Sequence, residues 1–256
     1  MRENAVLKKM REGGVSVGSW LGLDSSLSAE ILAMAGFEWL LVDGEHGPIT
    51  GDSIVALMTA TRAAGATPFF RVVWNDSALI QQALDFGAYG VLVPVVNSAA
   101  DAHEAAADAK YPPKGRRSLG GFRAPLAFGT DMTTHGPRAN DQTLLMVQIE
   151  TVEAVENADS IAAVEGVDLL FVGPGDLSLA MGEWPLDWAQ ASARYKEALA
   201  SIPRIAKKHG KFAGVLCYDP TFAKDCIAFG YQFVGYHADT ALLLKAARAA
   251  RAEVDA

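Results

Sequence analysis

Leu144-Leu145-Met146-Val147-Gln148-Ile149-Glu150 and, one helix-length later, Leu169-Leu170-Phe171-Val172-Gly173-Pro174-Gly175-Asp176 are the stretches on which the fold turns. Each is too short for a helix and apolar at consecutive positions, the pattern of a strand buried on both faces of a parallel sheet. Each also runs out into a carboxylate, Glu150 or Asp176. An ionised carboxylate held away from water costs several kcal/mol unless it finds a partner or a proton. Two acids at the ends of neighbouring parallel strands most economically share a divalent cation with oxygen ligands.

The same punctuation recurs along the chain. Strand-like runs are expected at Val15–Gly22, Trp39–Asp43, Thr67–Val73, Gly90–Val96, Leu144–Glu150, Leu169–Gly173, Phe212–Cys217 and Phe233–Tyr236. Helical patterns fall between and after them, at Leu27–Ala35, Gly51–Ala64, Ala78–Phe86, Ala99–Lys110, Val152–Val164, Ala189–Lys208, Thr221–Phe229 and Thr240–Ala252. Gly36, Gly65, Gly87, Gly210 and Gly230 stand just past helices, where a left-handed residue stops the last turn. Eight strand–helix units without a linker predict one (β/α)8 TIM barrel domain over 1–256. An open doubly wound sheet would carry a glycine-rich phosphate turn after its first strand, and Leu21-Gly22-Leu23-Asp24-Ser25-Ser26 is not one. The stretch 111–142 shows no clear helix or strand, and a connection of that length is expected to be a lid or an interface segment.

Composition narrows the function classes. Half of the 256 residues are hydrophobic, enough for a large core, and the net charge of −8 argues against nucleic acid as a partner. No apolar run reaches the length of a membrane span, and Met1-Arg2-Glu3-Asn4 begins no signal-peptide core. Cys217 and Cys226 lie in apolar runs and are expected to be reduced structural thiols, consistent with a cytoplasmic protein.

The candidate chemistry gathers at strand ends. Glu150 and Gln148 share strand parity and should face the interior together if Met146 does. Only two protein ligands are apparent, so Mg²⁺, Mn²⁺ or Co²⁺ fits better than a closed structural zinc site. Arg71 interrupts Phe69-Phe70-Arg71-Val72-Val73; it is either a structural partner for an acid or a permanent cation facing a developing oxyanion. Asp43 and His46 lie three residues apart on the turn leaving the second strand. Either the carboxylate orients the imidazole as a general base, or the aspartate caps the turn and the histidine faces solvent.

Other signals are weaker. Lys114, Arg116, Arg117 and Arg123 read as a solvated or interface loop, or as a contact for an acidic co-substrate. His237 ends the last strand, either lining the mouth or as an ordinary rim residue, while His103, His135 and His209 have no metal-ligand spacing with one another. The lysines avoid the strand interiors, which argues against Schiff-base chemistry.

Asp-Gly-Glu-His-Gly-Pro at 43–48, Arg71 with Trp74-Asn75-Asp76, Tyr-Pro-Pro-Lys-Gly-Arg-Arg at 111–117, Gln-Ile-Glu-Thr at 148–151 and Gly-Pro-Gly-Asp-Leu-Ser at 173–178 resemble the HpcH/HpaI aldolases. The resemblance runs from about Gly18 to the C-terminal helix. It implies a divalent-metal-dependent pyruvate aldolase acting on 2-keto-3-deoxy or 4-hydroxy-2-oxo acids, with pyruvate and an aldehyde as partners. By that resemblance Glu150 and Asp176 hold the metal, His46 oriented by Asp43 is the acid/base, and Arg71 stabilises the enolate. Gln148 lies beside pyruvate, and the amides of Gly175 and Asp176 meet its carboxylate. The resemblance also implies a homo-oligomer, a hexamer whose C-terminal helix swaps between barrels. Gly175 stands where some relatives have Ala and His237 where some have a small residue, while Gly120-Gly121-Phe122-Arg123-Ala124-Pro125 differs from the best-known bacterial aldolase and leans toward macrophomate-synthase-like relatives. Decarboxylation of oxaloacetate through the same enolate is the chemical alternative, and a non-catalytic barrel binding a small acidic metabolite is the alternative of another class.

Overall fold

The computed structural model describes residues 1–185 and 187–254. Leu186, Asp255 and Ala256 lie outside the described residues, so the expected span 1–256 is followed to Val254.

In chain order the elements are α1 (Ala5–Arg11), β1 (Ser16–Leu21), α2 (Ser26–Met34), β2 (Trp39–Asp43), α3 (Gly51–Ala63), β3 (Thr67–Arg71), α4 (Ser77–Asp85), β4 (Gly90–Val93) and α5 (Ala99–Ala109). There follow α6 (Arg123–Ala127), α7 (Met132–Ala139), β5 (Leu144–Ile149), α8 (Val152–Glu156), α9 (Ala158–Ala162), β6 (Leu169–Val172) and α10 (Pro174–Ala180). The chain continues through α11 (Ala193–Lys208), β7 (Phe212–Cys217), α12 (Pro220–Phe229), β8 (Phe233–Ala238) and α13 (Asp239–Val254). The strands are parallel and close in sequence order, β1 to β8 and back to β1. The chain is therefore a single α/β domain, the expected eight-stranded parallel barrel.

Two apolar layers follow from strand alternation. Leu145, Val147 and Ile149 face outward and pack with the helices, while Met146 joins Trp39, Leu41, Phe69, Phe171 and Phe233 inside the barrel. There Trp39 stacks on Phe233 with centroids 3.8 Å apart, and Phe69 meets both rings edge-on. Gly18 makes room for that stack, since a Cβ there would lie 1.9 Å from the Trp39 ring. All five expected stop glycines have positive φ, from 68° at Gly210 to 111° at Gly230.

The departures are local. The expected helix Val152–Val164 is two short helices, because Asn157 at φ −90°, ψ 1° breaks the run and donates its side-chain amide to Asn97 O. The helix expected from Ala189 begins at Ala193, where Ser192 caps the Tyr195 amide. α1, α6, α7 and α10 were not expected. The long connection folds beneath the barrel instead of over the C-terminal mouth. Phe128 stacks on Tyr89, its carbonyl accepts from the Arg2 amide at 2.6 Å, and it joins Val6, Leu7 and Met10 in the interior cluster. Cys217 and Cys226 are buried free thiols, as expected. No helix among the described residues is long and apolar enough to cross a membrane.

Candidate active site

The strand ends build one cavity of about 790 Å³ at the C-terminal mouth, lined by Asp43, His46, Arg71, Gln148, Gly175 and Asp176 among others. Parallel pairing explains the first contact, since register places Asp43 directly beside Arg71 across β2 and β3. Asp43 takes the guanidinium as a fork, from Nε at 2.9 Å and Nη2 at 2.8 Å. The third nitrogen, Nη1, reaches Glu45 at 2.6 Å. Beneath them the Trp20 ring lies 4.3 Å from Arg71 Cζ, a cation–π contact that fixes the plane of the group.

Gln148 and Glu150 do face the interior together, and the Gln148 side-chain amide donates to Glu150 Oε2. Glu150 Oε1 accepts from the Val95 amide at 2.8 Å. Val95 makes that bond from φ 53°, a left-handed conformation disfavoured for a branched residue, so the surrounding structure holds strain at this point. Gly173 leaves room for the pair, since a Cβ there would lie 2.8 Å from Glu150 Oε2 and displace the carboxylate. Gly175 and Asp176 stand in the first turn of α10, whose backbone N–H groups have no partner within the helix. That turn is anchored from behind by Tyr195, whose hydroxyl donates to Pro174 O at 2.8 Å.

The electrostatics are unbalanced. Burial pushes the Glu150 carboxyl up to about 7, with the charges of Asp176 and Glu45 adding and the Val95 amide and Arg71 opposing. Burial also raises Glu45, against the pull of Arg71 and His46. Gln148 Oε1 is buried without a hydrogen bond, and Glu45 Oε2 has the ion pair with Arg71 Nη1 as its close contact. Such a set of hard oxygen donors, short of positive charge, fits a divalent cation of the Mg²⁺ class. It is a sparse site: no cluster of three His, Cys, Asp or Glu suited to a metal occurs among the described residues.

Asp43 and His46 do not pair through their side chains. Asp43 Oδ1 accepts from the backbone amides of Glu45 and His46, and its remaining capacity goes to Arg71, a stronger bidentate partner than an imidazole. The His46 ring is 67% exposed, with Nε2 3.9 Å from Glu45. The expected orienting contact is therefore replaced by a capping aspartate and a rim histidine, the second of the two arrangements the spacing allowed. Glu45, Val95 and Trp20 carry parts of the site that were not singled out. The Asp43–Arg71 pairing brings Glu45 in, and nothing in the sequence pattern marks Val95. His237 is a bulged residue at φ 60°, buried beside Tyr218 with both ring nitrogens unpartnered. Arg117 and His135 belong to the floor instead, Arg117 pairing with Asp85 and His135 packing on Tyr111 and Phe128.

Known proteins share both sequence and fold. The profile of the HpcH/HpaI aldolase/citrate lyase family matches residues 16–246. A 4-hydroxy-2-oxo-heptane-1,7-dioate aldolase of Escherichia coli is 39% identical over 255 residues, covering 99% of this chain and 96% of its own. A hydroxypyruvate/pyruvate aldolase of Pseudomonas aeruginosa is 39% identical over 248 residues, covering 96% and 90%. The crystal structure of an HpcH/HpaI aldolase/citrate lyase family protein from Burkholderia cenocepacia J2315 superposes with TM-score 0.89 at 32% identity, covering 99% and 100%.

Proposed function

The chain belongs to the HpcH/HpaI aldolase/citrate lyase family and is a carbon–carbon lyase, and from that premise we propose that it reversibly cleaves a 4-hydroxy-2-oxo acid to pyruvate and an aldehyde with a divalent cation. The observation that carries this reading is the excess of acid around Glu150, Asp176, Glu45 and Asp43, with Arg71 the single lysine or arginine lining the cavity among the described residues. Glu150 and Asp176 would hold Mg²⁺, Mn²⁺ or Co²⁺, with Gln148 beside the substrate. A cation held there supplies Lewis acidity toward a 2-oxo acid.

The chain's own groups do the rest. Asp43 fixes two nitrogens of Arg71 and leaves Nη1 to exchange Glu45 for the enolate oxygen on which charge develops. The first-turn amides of Gly175 and Asp176 face the substrate carboxylate. His46, from the rim, takes the C4 hydroxyl proton directly or through a water, and returns it in the condensation direction. Assembly as a homo-oligomer, a hexamer with exchanged C-terminal helices, is supported by α13, of which Asp239 alone is buried among the described residues while Leu243 and Leu244 are exposed. Light scattering of the purified chain tests that part.

A second reading, decarboxylation of oxaloacetate, is favoured by one observation: the His46 ring is exposed and not held by Asp43, and decarboxylation needs no C4 base. Pyruvate release from 4-hydroxy-2-oxo acids by chelator-treated protein, with and without added Mg²⁺, Mn²⁺ or Co²⁺, tests the leading reading. Cation-dependent release that collapses in His46→Ala is expected. Release from oxaloacetate alone, surviving His46→Ala, would replace it with decarboxylation.

A further inference from the structure

Beyond Gly175 and Asp176 the cavity continues along a wall of Leu179, Trp184, Trp188, Leu216, Tyr218 and Phe222. Trp184 closes over the first turn of α10, its Cζ3 lying 3.8 Å from where a Cβ on Gly175 would stand. Trp188 packs on Phe222 with centroids 4.7 Å apart and donates its Nε1 proton to Asp225 at 2.7 Å, so its polar atom is already committed. Tyr218 stands edge-on to His237 at 5.7 Å. The wall is thus aromatic and aliphatic, and much larger than a three-carbon oxo acid requires.

The charges that line the cavity are mostly acidic. Among the described lining residues Arg71 is the single lysine or arginine, and Asp43 and Glu45 already hold it. On the wall the lining acid is Asp219, which caps the Phe222 amide at 2.8 Å, while Lys196 Nζ lies 5.3 Å from the Trp188 ring centroid without lining the cavity. His46 lies across the mouth beside Glu45. A carboxylate at the far end of an aldehyde would lose water against these rings and meet acids without gaining a cation that lines the wall. A ring there gains apolar contact and faces stacking partners.

We infer that this pocket selects aldehydes with an uncharged, ring-bearing substituent over aldehydes carrying a second carboxylate. The inference rests on the aldolase reading. In the bond-forming direction C3 of the pyruvate enolate joins the aldehyde carbonyl carbon, whose π pair becomes the C4 alkoxide and takes one proton. Cleavage breaks that C3–C4 bond and returns the hydroxyl proton. The substituent takes no part in either step, so selection acts through binding and appears in kcat/KM.

The test compares phenylacetaldehyde with succinate semialdehyde as partners for pyruvate, using the full chain with Mn²⁺, alongside pyruvate methyl-proton exchange. Phenylacetaldehyde is expected to win by about tenfold or more in kcat/KM. Trp184→Ala should shrink that ratio by raising KM for phenylacetaldehyde, and Tyr218→Arg should raise kcat/KM for succinate semialdehyde by supplying the missing cation. A kcat/KM for succinate semialdehyde equal to or above that for phenylacetaldehyde would overturn the inference and leave the aldolase reading standing, as would a ratio unmoved by both variants. No exchange in the wild type would overturn both together.

Discussion

At the floor of the barrel Lys110 meets Asp168 at 2.6 Å, and Arg117 meets Asp85 at 2.6 Å while lying over the Tyr111 ring. Each of these cations has its acid, and the surplus capacity is used as well: Lys110 also donates to Thr143 O, and Asp168 also accepts the Leu145 amide. At the mouth Asp43, Glu45, Glu150 and Asp176 surround Arg71, and Glu150 rises to about 7 because burial is not offset. Charge is paired at the floor, where Arg117 Nε and the His135 ring nitrogens are among the polar atoms left without a hydrogen bond, and is in acidic excess at the mouth. Floor charges set strand register and close the interior, whereas the mouth holds negative charge ready for a cation and an anionic substrate.

Substitutions should separate the two ends, and the largest effect belongs to the mouth. Glu150→Ala and Asp176→Ala should each lower cation-dependent turnover by about a thousandfold or more while the protein stays folded, read by steady-state kinetics with circular dichroism. At the floor Lys110→Met should leave kcat unchanged but cost about 3–5 kcal/mol in urea unfolding, because it strands a partly buried acid. Comparable kcat losses at both ends would erase the distinction.

Proton linkage sharpens it further. Glu150 is raised in the folded chain from the ordinary 4.5 to about 7, so between those values the folded state binds more protons than the unfolded state. Cation-free protein should therefore lose stability relative to Glu150→Gln as pH rises across that window, by about 3 kcal/mol, and a divalent cation should restore it. His135 at the floor has the opposite sign. Burial, aided by Arg117, lowers it from 6.5 to about 4, so its contribution is present above 6.5 and is lost as pH falls toward 4. His135→Phe should flatten that acid limb, the smallest of these effects, seen by comparing urea midpoints at pH 5 and 7.

The division between the ends also explains what the sequence made legible. Strands declare themselves because both faces are buried, and Trp39–Asp43 and Phe212–Cys217 fall at the expected residues. The floor was hidden because its helices are short and poorly patterned: α1 has seven residues, α6 has five, and α7 contains Gly136 and Pro137. Their stability comes from tertiary contacts such as Phe128 on Tyr89, which no local period encodes. At the mouth residue types were readable but their choice of partner was not. Asp43 and His46 are close in sequence, yet parallel register sets Asp43 against Arg71, and the guanidinium takes the carboxylate. That same register brings Glu45 onto Arg71, a contact invisible without the sheet.

The most direct measurement is deuterium exchange of the pyruvate methyl protons by NMR, on chelator-treated wild type, Glu150→Ala and Lys110→Met, each with and without Mg²⁺, Mn²⁺ or Co²⁺. Exchange should appear in the wild type and Lys110→Met when a cation is added and should be absent from Glu150→Ala. Exchange that is indifferent to chelation, or that persists in Glu150→Ala, would contradict a cation-dependent enolate site at the mouth.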